Sequence, residues 1–194
     1  MARGQTGIGA LIVFISFVLT AAIAAFLVTQ TTVSTQSKAA AVADQARERT
    51  GTTFEVVRVE GIANLTTNTI GKYLLYVRLA AGSDPINLNS TYIAYYTASG
   101  RKVYLYGGNV ANESVLPTVD DGRYYVVDSL TAAKESPPNN VLESGELYVI
   151  GLVVNNTIGP SDWYEFTLIP KEGQPNDVYG IAPDVFTSEV VILR

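Results

Sequence analysis

The sequence predicts an α+β protein in which one long N-terminal hydrophobic α-helix is followed by an antiparallel Ig-like β-sandwich. Three observations support this fold class. No charged residue occurs between Arg3 and Lys38, and all twelve tyrosines lie at or beyond Tyr73. Turn-forming residues divide the tyrosine-rich region into short β-branched and aromatic segments, which is typical of strands. At 194 residues, the chain can form one domain with an appendage.

The predicted helix has an apolar half and an alanine-rich half. Residues 7–28 form a nearly continuous apolar run, and a helix of that length matches a hydrocarbon layer about 30 Å thick. Residues 29–49 are more polar but remain rich in helix formers, and Ala39, Val42, Ala43 and Ala46 share one helical face. We therefore expect one helix over residues 8–50, with Gly51 as its C-terminal cap.

Two uses of this helix follow from its residues. A cleaved secretory signal has an apolar region of only about 7–15 residues, so we expect the helix to remain in the mature protein. It is either a single-pass membrane anchor or a helix that associates with other helices. An anchor does not need residues 29–49, and small residues favour close helix packing. The positions that we expect in a helix–helix polymer core are Gly7, Ile8, Leu11, Ile12, Phe14, Ile15, Val18, Leu19, Ala22, Ile23, Phe26 and Leu27.

Eight strands are expected after the helix. They cover residues 54–59, 73–79, 92–96, 102–106, 124–127, 147–154, 163–169 and 189–193. Turn residues separate them, for example at 107–109, 120–122 and 136–139. Because no amphipathic helix interrupts the series, an antiparallel sandwich is the expected arrangement.

Composition excludes most enzyme chemistry. The chain has no cysteine and no histidine, which removes thiol nucleophiles, disulfides, Cys/His zinc sites and imidazole acid–base catalysis. No G-x-S-x-G motif occurs, and the Gly7-Ile8-Gly9 sequence lies in the helix and not after a strand. We therefore expect no catalytic site, no metal site and no cofactor, and the protein is not expected to be an enzyme.

Charge is distributed unevenly along the chain. Residues 1–50 carry four basic and two acidic side chains, whereas residues 51–194 carry nine basic and sixteen acidic ones. An acidic domain lacks the basic patch that phosphate recognition needs, so nucleic-acid binding is not expected. Net negative charge instead favours solubility at a crowded surface.

Two kinds of loop feature could carry a ligand or a modification. The Asp120-Asp121-Gly122 sequence could contribute to a calcium site, but no EF-hand spacing is present and a hairpin turn explains it as well. Four N-x-S/T sequons lie at or beside predicted loops, and we expect N-glycosylation at some of them. Their acceptor residues are Asn64, Asn89, Asn112 and Asn155.

The first fifteen residues carry a family resemblance. Met1-Ala2-Arg3-Gly4 is a short basic leader, and residues 5–15 read QTGIGALIVFI. This start resembles that of archaeal flagellins (archaellins), which are type IV pilin-like filament subunits. The resemblance implies a class III (prepilin-type) leader at residues 1–4, a hydrophobic polymerisation helix at 5–50 and an outer β-sandwich domain at 51–194. Bacterial type IV pilins carry Glu at the fifth mature position, where this chain has Gly9.

The resemblance also implies a function and partners. A prepilin peptidase would cut between Gly4 and Gln5, and the mature chain would reside in the membrane before it joins an extracellular filament of identical or related subunits. Membrane motor and assembly machinery would use that archaeal flagellum (archaellum) for swimming motility. Two alternatives share the helix: an archaeal type IV adhesion pilin and a membrane-anchored surface binding protein.

Overall fold

The computed structural model describes residues 2–130 and 139–194, and it describes residues 2–6 and 48–50 by their backbone alone. The chain divides into two compact units at residues 47 and 48. The first unit is helical. The second unit, residues 48–194, is called the β domain below.

Helix α1 spans Ala2–Gly51 without interruption. The predicted helix is confirmed, but it begins six residues earlier than expected, and Gly51 is its last residue and not a cap beyond its end. No proline occurs before residue 85, so nothing in the first fifty residues breaks the hydrogen-bond ladder. The start was misplaced because the expected helix was taken to begin with the apolar run, whereas the polar residues Gln5 and Thr6 before that run are also helical.

The β domain contains eleven described strands, and all eight expected ones are among them. They are β1 Phe54–Asn64, β2 Thr69–Leu79, β3 Ile86–Asn87, β4 Tyr92–Thr97, β5 Gly100–Asn109, β6 Arg123–Ser129, β7 Val141–Leu142, β8 Leu147–Ile158, β9 Trp163–Ile169, β10 Asn176–Ile181 and β11 Val190–Ile192. Two 3₁₀ turns occur at Leu88–Ser90 and Glu113–Val115. Most of the turn expected at 136–139 lies outside the described residues.

Strands β3, β7 and β10 were not expected from the sequence. Strands β3 and β7 have only two residues each and pair with one another, which is too short for an alternating pattern to show. Strand β10 contains Asn176, Asp177 and Gly180, and these residue types are depleted in strands. Its pairing with β9 along six residues overrides that weak propensity.

Nine strands form one sheet in the order β10-β9-β4-β5-β6-β8-β2-β1-β11. The first half of β5 pairs with β4 and its end pairs with β6, so β5 belongs to both halves of the sheet. Every pairing is antiparallel except that of β5 with β6. The expected antiparallel arrangement is therefore confirmed for most of the sheet, and β5 and β6 depart from it because residues 110–122 run back across the domain before β6 begins.

The two halves of the sheet face each other across an aromatic core. The ring of Tyr73 on β2 lies 5.4 Å from that of Tyr95 on β4 and 5.0 Å from that of Phe166 on β9. All three side chains are fully buried. The hydroxyls of Tyr73 and Tyr95 are 2.8 Å apart. The predicted sandwich is thus confirmed, and aromatic pairs from both halves hold it together.

A second, smaller core covers the outer surface of β2, β8 and β6. Leu116, from the β5–β6 connection, packs there with Leu74, Val127, Val149 and Val153. Gly151 allows this close approach, because a Cβ atom at that position would stand 2.7 Å from a Leu116 methyl group. One outer face of the sandwich is therefore covered by the chain's own loop.

Candidate functional site

The apolar half of α1 is exposed along its whole length. Over residues 7–47, the helix is long and apolar enough to cross a membrane, and the most apolar window has no buried residue. The ten large apolar side chains expected in a helix–helix core are between 48 and 68 % exposed, and Gly7 and Ala22 are exposed as well. The isolated chain thus leaves all of the predicted core positions without cover.

These apolar side chains surround the helix and do not form a stripe. Leu11, Ile12, Val13, Phe14 and Ile15 are consecutive and all exposed, and successive residues of an α-helix point about 100° apart. A stripe would suit packing on one side of a globular domain. An apolar surface on every side requires an environment that is apolar on every side, either lipid or several other helices.

Seven hydroxyl groups of this helix donate hydrogen bonds to carbonyl oxygens of the helix itself. Ser16 donates to the Ile12 carbonyl oxygen at 2.9 Å, and Thr20 donates to that of Ser16 at 2.8 Å. Five further Thr and Ser hydroxyls repeat the bond to a carbonyl three or four residues earlier: those of Thr29, Thr31, Thr32, Thr35 and Ser37. An unpartnered hydroxyl would cost about 1–3 kcal/mol in an apolar environment. These bonds were not expected from the sequence, although the Ser and Thr residues inside the apolar run could have indicated them.

The glycines near the start of the helix have no structural role within the chain. A Cβ atom at Gly7 or Gly9 would meet nothing within 4 Å. Glycine lowers helix stability by roughly 0.5–1 kcal/mol relative to alanine. Small residues at such positions allow another helix to approach closely, so the pair is consistent with packing between chains.

The expected leader-cleavage residues lie at the start of the same helix. The backbone of Gly4 and Gln5 is helical, and their side chains are outside the described part of the structure. The bond between them precedes the apolar run by two residues. Cleavage there would leave the whole of that run in the mature chain.

The four sequon asparagines are exposed on the β domain. Asn64 ends β1, and its side-chain oxygen accepts hydrogen bonds from the backbone N–H groups of Thr66 at 3.0 Å and Thr67 at 3.3 Å. Asn89 lies in the first 3₁₀ turn, and Asn112 precedes the second. Asn155 lies within β8, three residues before the end of that strand. Exposure leaves each of them open to a glycan.

The carboxylate of Asp120 accepts four hydrogen bonds from groups of the β domain. Its carboxylate accepts from the Lys102 Nζ at 2.6 Å and the Tyr104 hydroxyl at 3.0 Å. The backbone N–H groups of Gly122 and Asn155 donate to it at 2.9 and 3.0 Å. Burial by itself raises the pKa of the Asp120 carboxyl, but these four hydrogen bonds outweigh burial and hold the pKa below its usual value.

The surroundings of Asp120 bear on both interpretations of Asp120-Asp121-Gly122. The segment turns the chain into β6, with Gly122 at φ +75°, but it does not close a hairpin because β5 and β6 are parallel. The Asp120 side chain is completely buried, and its oxygens are taken by protein donors. Within residues 2–130 and 139–194, no group of three or more acidic side chains could hold a metal ion.

Comparisons with known proteins bear on the whole chain. The family model of archaeal-type flagellin matches residues 4–179. Flagellin B5 of Pyrococcus abyssi is 29 % identical, with 100 % of both chains covered. Flagellin A1 of Haloferax volcanii is 34 % identical over 74 % of this chain and 64 % of its own length.

Two solved structures share the fold. One is a crystal structure of an archaeal flagellin from Methanocaldococcus jannaschii, with a TM-score of 0.65, 21 % identity and coverage of 73 % of this chain and 96 % of that chain. The other is the archaeal flagellum of Methanospirillum hungatei strain JF1, with a TM-score of 0.67, 12 % identity and coverage of 96 % of this chain and 98 % of that chain.

Proposed function

The chain belongs to the archaeal-type flagellin family and is a structural subunit of an archaeal flagellar filament, and from this premise we propose that residues 7–28 of α1 form the filament core. The observation that carries the proposal is the exposed apolar surface on all sides of the helix. A core of like helices gives every one of those sides an apolar neighbour.

Assembly transfers the helix from lipid to other helices. The helix first resides in the membrane, which its length and apolarity permit. Because apolar surface leaves one apolar environment for another, the hydrophobic free energy changes little, and van der Waals packing decides the outcome. Gly7 and Gly9 allow close approach between helices. The internally bonded hydroxyls, such as those of Ser16 and Thr20, add no unpartnered polar group in either environment.

A leader peptide and external machinery complete the proposed pathway. A prepilin peptidase removes residues 1–4 by cutting between Gly4 and Gln5. A separate membrane motor and assembly complex adds subunits and turns the extracellular filament for swimming. The acidic β domain faces solvent and carries glycans on one or more of its exposed sequon asparagines. One contact repeated between copies without closure produces a helical polymer.

Electron microscopy and mass spectrometry of sheared filaments test the proposal. We expect filaments from the producing cells to contain this chain with Gln5 as its first residue. The membrane fraction serves as the control and should hold the pool that is not yet assembled. Recovery of the chain only as an uncut membrane protein would refute the filament core. Filaments that retain residues 1–4 would refute the cleavage step alone.

A further inference from the structure

One outer face of the sandwich carries several large apolar side chains that are exposed. It belongs to β10, β9, β4 and β5, and its large side chains are Tyr92, Val103, Leu105, Ile169, Tyr179 and Ile181, which are between 37 and 58 % exposed. We call this surface the aromatic face. Neighbouring strands place these residues in register, since Tyr92 pairs with Ile169 and Ala94 pairs with Val103. Tyr92, Ile169 and Val103 therefore lie together towards one end of the face, and Tyr179 and Ile181 lie beside Trp163 towards the other end.

Charged side chains also lie on the aromatic face. A row across the four strands contains Tyr179, Glu165, Tyr96 and Arg101, and Asp177 on β10 points to the same side. The ring of Trp163 stacks on Tyr179 at 6.4 Å. Strands about 4.8 Å apart and seven residues long give the whole face, charged side chains included, an area of roughly 300–400 Å². Exposed apolar side chains that gather on one surface of a soluble domain commonly mark interaction sites.

The opposite outer face of the sandwich differs, because its apolar side chains are covered. There, Leu116 and Val110 from the β5–β6 connection pack on the apolar side chains of β2, β8 and β6. No corresponding cover is present on the aromatic face in the described part of the chain. One face is thus completed by the chain itself, and the other still requires a partner.

We propose that the aromatic face docks against the β domain of a neighbouring copy of this chain in the filament. This inference rests on the proposed function, because it assumes that the helices pack together. Only two residues, Thr52 and Thr53, separate α1 from β1. Packed helices lie about 8–10 Å apart, whereas a domain of this size is roughly 30–40 Å wide. Copies with touching helices therefore bring their β domains into contact, unless one copy is displaced along the axis by more than a domain width.

The size of the face suits a contact that works only within a polymer. A standard stable interface buries about 800 Å² on each partner, which is about twice the area of the aromatic face. The face alone is too small to hold two chains together. Once the helices hold neighbouring domains at high effective concentration, a contact of this size adds to filament stability.

Single cysteines provide a direct test, because the chain contains none of its own. Val103→Cys places a thiol on the aromatic face, and Val115→Cys places one on the β5–β6 connection. The two valines are equally exposed, at 55 % each. We expect filaments to protect position 103 from maleimide labelling by about tenfold or more relative to detergent-dissociated subunits, because interface cores exclude water. Position 115 should change little. Ile181→Cys repeats the test on β10 if the first variant does not assemble.

The outcomes separate this inference from the proposed function. Equal labelling of positions 103 and 115 in intact filaments would overturn the docking surface and leave the helix core unaffected. Protection of position 103 in dissociated subunits would also overturn it, since the cover would then belong to the same chain. A thiol-to-amine cross-linker at position 103 should yield conjugates with peptides of this sequence. Conjugates with a different protein would refute the second copy as the occupant. Filaments that lack the chain would instead refute the proposed function.

Discussion

Replacing Tyr95 by phenylalanine should destabilise the β domain more than replacing Tyr73, although the two residues share one hydrogen bond. The Tyr95 hydroxyl donates to the Asn156 carbonyl oxygen at 3.2 Å. A phenol has one proton and a carbonyl oxygen can only accept, so the 2.8 Å bond between the two hydroxyls must be donated by Tyr73. Both side chains are fully buried. The direction of donation makes the two substitutions unequal.

The size of each loss in the free energy of unfolding depends on which hydrogen-bonding groups are left without a partner. Tyr73→Phe removes one neutral hydrogen bond while Tyr95 still donates to Asn156, so the free energy of unfolding should fall by about 0.5–1.5 kcal/mol. Tyr95→Phe removes two hydrogen bonds and leaves the buried Tyr73 proton without an acceptor, and we expect a loss of about 2–3 kcal/mol. In the Tyr95→Phe background, removing the Tyr73 hydroxyl should cost nothing or stabilise the domain, since no stranded donor remains.

Guanidinium unfolding of the full chain in detergent measures these differences. Fluorescence of Trp163, the single tryptophan, reports on the β domain. Tyr96→Phe is the matched control, because it lies beside Tyr95 on the other side of β4 and is only half-buried; its effect should stay within about 0.5 kcal/mol. If Tyr73→Phe costs as much as Tyr95→Phe or more, the assigned direction of donation is wrong. Losses that add to within about 0.5 kcal/mol in the double variant would contradict the shared hydrogen bond itself.

Four further predictions concern the helix, the Asp120 cluster, the buried tyrosines and the sequons. Gly9→Leu should leave membrane insertion intact but reduce filament yield, because the side chain meets nothing in the isolated chain and would obstruct a neighbouring helix; cell fractionation with electron microscopy checks both. Asp120→Ala should lower the free energy of unfolding by about 2–4 kcal/mol, since three donors besides Lys102 lose their acceptor. This loss should become smaller as pH falls below about 4, because the lowered pKa of the Asp120 carboxyl stabilises the fold only while Asp120 is ionised. Burial raises the pKa of Tyr164 to about 12, whereas the pKa of a tyrosine in the unfolded chain is about 10. The free energy of unfolding should therefore fall as pH rises from about 10 to 12. Trp163 fluorescence and phenolate absorbance should change together, and phenolate formation without unfolding would contradict this prediction. Asn64→Gln should reduce the mass of filament subunits by one glycan if that sequon is occupied, and mass spectrometry should show no change for Asn68→Gln, a nearby asparagine outside any sequon.

The helix was predictable because its signals are local. An uncharged apolar run and the lack of proline need no knowledge of distant residues, and they predicted α1 to within six residues of its start. The internal hydroxyl bonds of Ser16 and Thr20 are equally local. They were missed because only the apolar residues around them were considered. The polymer core itself remains a prediction, since residues 2–130 and 139–194 provide no second α-helix against which α1 could pack.

The β domain was predictable strand by strand but not in its connections. Alternation and tyrosine content predicted β4 and β9 almost residue for residue. The parallel pairing of β5 with β6 depends on where residues 110–122 run, and no local pattern encodes that path. The hairpin interpretation of Asp120 was therefore wrong. The role of Asp120 comes from donors 16 to 35 positions away, at Lys102, Tyr104 and Asn155.

The pairing of β11 with β1 has a consequence for biosynthesis. Ile62 pairs with Val190, and the Leu193 N–H donates to the Val59 carbonyl oxygen at 2.8 Å. A ribosome adding about 5–20 residues per second needs on the order of ten seconds to travel from β1 to β11. During that interval the apolar helix is already complete, whereas β1 has an unpaired edge. The order of synthesis therefore completes the helix before the β domain can finish folding, so the proposed membrane insertion could begin while β1 still waits for its last partner strand.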